Sequence, residues 1–393
     1  MQKKFGKILF FGIGGGNDIF STTLAMASLW NIGWRWEECA VAGVLSPFHS
    51  YTLCETKIPD VDIIDPGSSR FLDRRFDGEK KIAFVDAAMS NLVKDLHPYN
   101  ANKVFGFWLR KGSESIAKGL NGLAEEYEFT VLVDIGGDCF YHGPEDKHVL
   151  SPMFDSLALA GFNSSKMKGV LFEAGPGTDG ELEPDSLLEA LKENNAASYP
   201  LAENTINWWE TIYNKYIKKV RPGRTVPMTI AGYRSYDGIM KKKYRARAQM
   251  GNQRFYKYFY QKILTNLCKN FYLVTDPLTI KNPFTICSNN VIQWFIAAQS
   301  YQFRTNCEAN LQYIWLESGK LVQFLTPSPL FKEETQMEII NIGLRELSTG
   351  VYDQALMFES DWIEVPKKIR KKFRILGETH NVSNHLIYVA PKR

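Results

Sequence analysis

Apolar residues in the first half of the chain gather in short blocks, and several blocks end on glycine followed by an acid. The clearest is FTVLVDIGGDCFY, Phe129 to Tyr141, where a run of β-formers leads into Asp134, Gly136, Gly137 and Asp138. Such a continuous block predicts a parallel strand buried on both faces, and a glycine pair directly after it lets the backbone turn sharply. KILFFGIGGGND repeats the plan, with Gly14, Gly15, Gly16, Asn17 and Asp18 behind a strand at Ile8 to Phe11. GVLFEAGPGTDGE repeats it again, placing Gly175, Gly177, Asp179, Gly180 and Glu181 behind a strand at Val170 to Phe172. Open α/β sheets bind ligands at the carboxyl ends of their strands, so the three corners predict one composite pocket.

Between these blocks lie amphipathic stretches, the alternation expected of βα units. Ile19 to Trp30 has helical spacing and starts beside the capping types Asn17 and Asp18. Ala40 to Leu45, Ile82 to Val85 and Val104 to Trp108 are further expected strands, with an irregular loop over Ser46 to Asp77. Gly112 to Tyr127, Ser151 to Ala160 and Leu187 to Glu193 read as helices, the last two introduced by proline at their starts. After residue 200 the texture shifts to Trp, Tyr, Lys and Arg. There Lys241 to Lys262, Asn289 to Ser300 and Thr335 to Leu347 read as helices, and Gln312 to Leu316 with Leu321 to Leu325 as a β-hairpin. The expected fold is α/β, a Rossmann-like mostly parallel sheet with helices on both faces over residues 1–200. An α-rich, basic and aromatic extension with one hairpin, residues 201–393, continues or covers it.

Composition adds little. The 393 residues are 45% hydrophobic, enough for a large core, and the net charge of +4 singles out no partner. Six cysteines without a C-x-x-C pair read as free thiols in a reducing compartment. The N-terminal apolar run is broken by Gly14 to Asp18, unlike a secretory signal, and no run is long enough to span a bilayer. A cytoplasmic protein without a membrane partner is therefore expected.

The chemistry resides in the glycine corners. Gly12 to Asn17 nearly matches the dinucleotide fingerprint, yet Leu45-Ser46-Pro47 stands where a ribose-binding acid is needed, which argues against a nicotinamide dehydrogenase. Neither a Gly-Lys-Ser/Thr phosphate loop nor a Gly-x-Ser-x-Gly elbow is present. An acid such as Asp18 beside a phosphate-binding turn repels phosphate unless a metal or hydroxyl intervenes. Its natural partners are ribose, sugar or a divalent cation, with Mg²⁺ or Ca²⁺ as candidates. Asp134, Asp138 and Asp179 are the candidate catalytic acids. Gly14, Gly15, Gly16, Asn17, Asp18, Gly136, Gly137, Gly175, Gly177, Gly180 and Glu181 are the candidate ligand-binding residues. A single such turn is explained by helix capping alone; three of one design point to a shared ligand. His142 and Cys139, close behind Asp138, are secondary candidates for proton transfer and nucleophilic attack.

GGGND at 14 to 18, VDIGGD at 133 to 138, SPMFDSLALA at 151 to 160 and GPGTDGEL at 175 to 182 together resemble the ordered motifs of the family catalogued as domain of unknown function 1152. The resemblance spans roughly residues 5 to 195. It implies a Rossmann-like α/β fold and brings no assigned reaction or cofactor. The expected function is a hydrolase or transferase acting on a small ribose- or sugar-containing phosphorylated metabolite. Two alternatives stay open: a nucleotide-responsive binding module, and a nucleic-acid-binding protein using the eight cations and the aromatics of Lys241 to Lys262. Oligomeric state is not legible.

Overall fold

The computed structural model describes residues 3–14, 17–45, 53–64, 71–73, 80–82, 85–108, 113–140, 153–179, 182–218, 225–235, 239–250 and 253–280. It also describes six later strand segments, within 313–391. In chain order the strands are β1 Lys4–Gly12, β2 Arg35–Val44, β3 Leu53–Glu55, β4 Val61–Ile64, β5 Phe71–Asp73, β6 Lys80–Ile82, β7 Ala101–Phe107, β8 Phe129–Ile135, β9 Gly169–Ala174, β10 Ala197–Pro200, β11 Ile239–Met250, β12 Gln253–Leu264 and β13 Asn270–Val274. The helices are α1 Asn17–Asn31, α2 Val85–Leu92, α3 Ser113–Leu123, α4 Met153–Asn163, α5 Pro184–Glu193, α6 Glu203–Ile212, α7 Thr225–Arg234 and the single turn α8 Thr265–Cys268.

Nine strands form the main sheet in the order β10-β13-β9-β8-β1-β2-β7-β4-β3. The centre, β9-β8-β1-β2-β7, is parallel throughout, and the flanks are antiparallel. The chain runs from β1 outward to β2 and β7, then returns to the other side of β1 for β8 and β9. That reversal places a topological switch point between β1 and β8, where the two following loops diverge and leave a crevice.

Alternation along β1 shows why the sheet reads as continuous apolar sequence. Leu9 and Phe11 join a core that includes Ile116 and Leu120 of α3, Leu157 of α4 and Leu187 of α5. Ile8 and Phe10 join the opposite core with Phe20 of α1, Met89 of α2, Trp209 of α6 and Ile230 of α7. Helices thus cover both faces. Each such fully buried side chain contributes roughly 1.5–3 kcal/mol. Phe20 stacks on Trp209 with ring centroids 5.6 Å apart and fixes α6 over α1.

Several expected elements differ. Lys241 to Lys262 is not a helix: β11 and β12 pair antiparallel from Ile239↔Leu264 to Met250↔Gln253. Gly251-Asn252 separates a basic stretch from one rich in Tyr and Phe, a hairpin signal that outweighs the helical spacing. The expected loop at Ser46 to Asp77 contains β3, β4 and β5. Val85 opens α2 rather than closing a strand. Of the extension expected to be α-rich, residues 203–234 are helical apart from the undescribed 219–224, whereas the described segments from 313 onward are strands, including the anticipated hairpin at Tyr313–Trp315 and Lys320–Phe324. Asn289 to Ser300 lies outside the described residues, as does Thr335 to Leu347 except for the strand Met337–Glu338. No described helix is long and apolar enough to cross a membrane.

Candidate functional site

The crevice at the switch point is built from the ends of β1, β8 and β9 and the starts of α1 and α4. Behind β1 the Gly14 amide donates to Asp18 Oδ2 at 2.8 Å, so the first turn of α1 folds back on the loop that precedes it. Glycine is required at 14 because a side chain there would collide with the Asp18 carboxylate and stand 2.6 Å from Asp155 Oδ1. Behind β8, Gly136 has φ +116° and Gly137 φ +104°, a region that favours glycine. A Cβ on Gly136 would lie 2.6 Å from the Asp179 side chain, so the β9 loop is seated directly against the β8 loop. The two are tied by Gly177 N–H to Gly136 O at 2.6 Å and Gly136 N–H to Ala174 O at 3.1 Å. Behind the β9 loop, Thr178 and Thr229 share a hydroxyl bond of 2.8 Å that anchors it on α7.

Five carboxyl groups converge here and all are buried: Asp134 and Glu173 are 0% exposed, Asp155 2%, Asp18 6% and Asp179 7%. Oxygens of Asp18, Asp134 and Asp155 lie within 4.8 Å of one another, and Asp134, Cys139 and Glu173 form a second group at that spacing. Asp134 belongs to both. It is held by amides, accepting from Ile135 N–H at 2.7 Å and Cys139 N–H at 3.3 Å. Glu173 stands beside Asp134 across the β8–β9 ladder, and neither of its oxygens meets a donor among the described residues. The neighbouring carboxylate becomes its partner only when one of the two carries a proton.

Electrostatics follow from that crowding. Burial, then the charges of Asp134 and Asp155, push Asp18 well above the ordinary carboxylate range, against the opposing Gly14 amide. Burial and Asp134 do the same to Glu173. The Cys139 thiol is raised by burial and by Asp134, which keeps it protonated and removes it as a nucleophile.

Of the residues singled out in the sequence, Gly14, Asp18 and Asp134 meet at one point, and Gly136 and Asp179 meet beside it. Asp138 opens a 3-10 turn, Asp138–Phe140, is only half-buried, and belongs to neither close group. Gly137 instead packs on Leu187 of α5, and Gly175 on Thr229 of α7, so both shape the loops. Gly15, Gly16, Gly180, Glu181 and His142 lie outside the described residues. Asp155 and Glu173 were not anticipated. Glu173 did carry a signal, a charged residue inside the apolar run VLFEA.

A family model described as "Protein of unknown function (DUF1152)" matches residues 67–241. The match agrees with the resemblance read from the motifs and takes in the β8 and β9 loops and Asp155, while Gly14 to Asp18 precede it. No curated protein and no solved structure gave a significant match.

Proposed function

We propose that the protein is an enzyme, a hydrolase or transferase, acting on a small phosphorylated metabolite that contains a ribose or sugar and binds at the crevice between β1 and β8. The parallel centre has the strand order of Rossmann-like folds, whose ligands sit at this switch point. The observation that carries the reading is the meeting of the acidic corners: Gly14 with Asp18 and Asp155, and Gly136 with Asp179, at the same end of adjacent strands.

Two features refine the chemistry. The Gly14, Gly136 and Gly177 amides are all engaged within the loops, so they hold the corners in shape instead of cradling a phosphate. Ligand contact then falls to the acids, which suit sugar hydroxyls. Carboxyls of one type in contrasting surroundings can divide acid and base duties. The half-buried Asp138, where water reaches it, serves as the acid or base, while Asp179 orients the ligand.

The test is incubation of the full chain with a panel of nucleotides and sugar phosphates, with and without Mg²⁺, read by mass spectrometry. Turnover of one member is expected, with Asp138→Asn and Asp179→Asn lowering it by about 100-fold or more. Unchanged turnover in both variants would overturn the site. Thermal stabilisation by a ligand that emerges chemically intact would point to a sensor instead.

A further inference from the structure

We infer that Asp18, Asp134 and Asp155 form a binding site for one hard divalent cation, Mg²⁺, Mn²⁺ or Ca²⁺, with Glu173 as the flanking carboxylate. The three oxygens arrive from separate elements, α1, β8 and α4, yet lie within 4.8 Å of one another. Donors on opposite sides of such an ion are about 4 to 5 Å apart, so one cation can touch all three. Gly14 closes the group from one side, since any side chain there would occupy the space between Asp18 and Asp155.

Proximity of acids alone would not carry this. A separate observation does: Glu173, on the next strand and level with Asp134, is wholly buried with neither oxygen meeting a donor among the described residues. A carboxylate removed from water without a hydrogen bond is costly unless it faces a positive charge or takes up a proton. The Asn17 side-chain oxygen, beside Asp18 in sequence, is likewise buried without a donor among the described residues. An all-oxygen set favours hard cations over zinc or copper. The rival is the group Asp134, Cys139 and Glu173, whose thiol would favour a softer metal.

The site deepens the proposed function, because a cation among these acids reverses their repulsion toward a phosphate; its occupancy is nonetheless measurable without any substrate. The chelator-treated full chain is titrated with MgCl₂, MnCl₂, CaCl₂ and ZnCl₂ by calorimetry and thermal melting, with KCl as the ionic-strength control. One hard cation is expected to raise the melting temperature and to bind with 1:1 stoichiometry. Asp18→Asn and Asp155→Asn are each expected to weaken it at least tenfold in protein that remains folded. Should Asp155→Asn fail to fold, Glu173→Gln serves in its place, with weakened cation binding in a folded protein supporting the site. Absence of binding at millimolar concentration would overturn it. So would binding that survives both aspartate substitutions, or that prefers Zn²⁺ and vanishes in Cys139→Ser. Metal binding without turnover of any metabolite would sink the enzymatic reading alone, and turnover that persists in chelator would sink the cation alone.

Discussion

The two ends of the parallel sheet treat the same residue type in opposite ways. At the amino ends of β1, β2 and β7, Lys7 lies 3.3 Å from Glu38 and 3.1 Å from Glu126, and Lys103 lies 3.2 Å from Glu126, all on partly exposed side chains. Burial alone would raise Glu126, yet the hydrogen bonds from Lys7 and Lys103 outweigh it and hold the carboxyl below its ordinary value. At the carboxyl ends Asp18 and Glu173 are buried against other carboxyls and are driven upward. One end neutralises its acids with the chain's own cations. The other buries its acids against one another and drives Asp18 and Glu173 toward the protonated form.

Glycine substitutions test that contrast most severely. Gly136→Ala combines an unfavourable φ with a Cβ 2.6 Å from Asp179, and should cost about 2–4 kcal/mol in urea unfolding. Gly33, in the turn between α1 and β2 at the amino end, has φ +94° but open space around it, so Gly33→Ala should cost only about 1 kcal/mol. Equal losses would show that the carboxyl-end loops are no more tightly fitted than an ordinary surface turn.

Glu173→Gln is the next largest effect. Removing the charge from a wholly buried acid should stabilise the metal-free protein at pH 8 by about 1–2 kcal/mol, whereas Glu126→Gln should leave stability near wild type or slightly lower. A clear loss in Glu173→Gln would make that residue an ordinary structural acid.

The pH dependence sharpens the comparison further. A carboxyl raised on folding favours the proton-bound state, so the contribution of Glu173 is complete below its unfolded value near 4.5 and is lost as pH rises through the folded value. Asp18 behaves alike from 3.8 upward. Glu126, lowered on folding, contributes above 4.5 and loses that contribution as pH falls. Urea midpoints of chelated protein between pH 5 and 8 should therefore decline with pH, and Glu173→Gln should flatten the decline. A rising curve would contradict the assignment.

The smallest effect belongs to Lys7→Met. Its nitrogen is exposed, so the urea midpoint should move slightly at low salt and not at all at high salt.

The parallel core was legible because burial on both faces leaves a direct trace: uninterrupted apolar runs such as Val131 to Val133 and Leu9 to Phe11, closed by glycines that the backbone needs at positive φ in the β8 and β9 loops. Pro184 marked the start of α5 for the same local reason. Lys241 to Lys262 was misread because Tyr and Phe recur in it at a spacing that fits either period, and cross-strand pairing is a long-range property. The site was legible only as separate corners. Asp155 lies in the first turn of α4, where an acid suits the helix start in any fold, and only the packing of that helix beside the β1 loop brings it to Asp18. Glu173 stands just behind the expected strand Val170 to Phe172 and was passed over, because which neighbour it faces is set by the register with β8.

The position of β13 has a consequence for synthesis. This strand, from residues 270–274, lies between β9 and β10 and is the main-sheet partner through which β10 is attached. While a nascent chain emerges, β9 and the acidic corner behind it must wait with a bare flank until some hundred further residues have left the ribosome. Completion of this side of the sheet is therefore a late event in biosynthesis, and a chain cut short before residue 270 would expose the β9 backbone to pairing with other molecules.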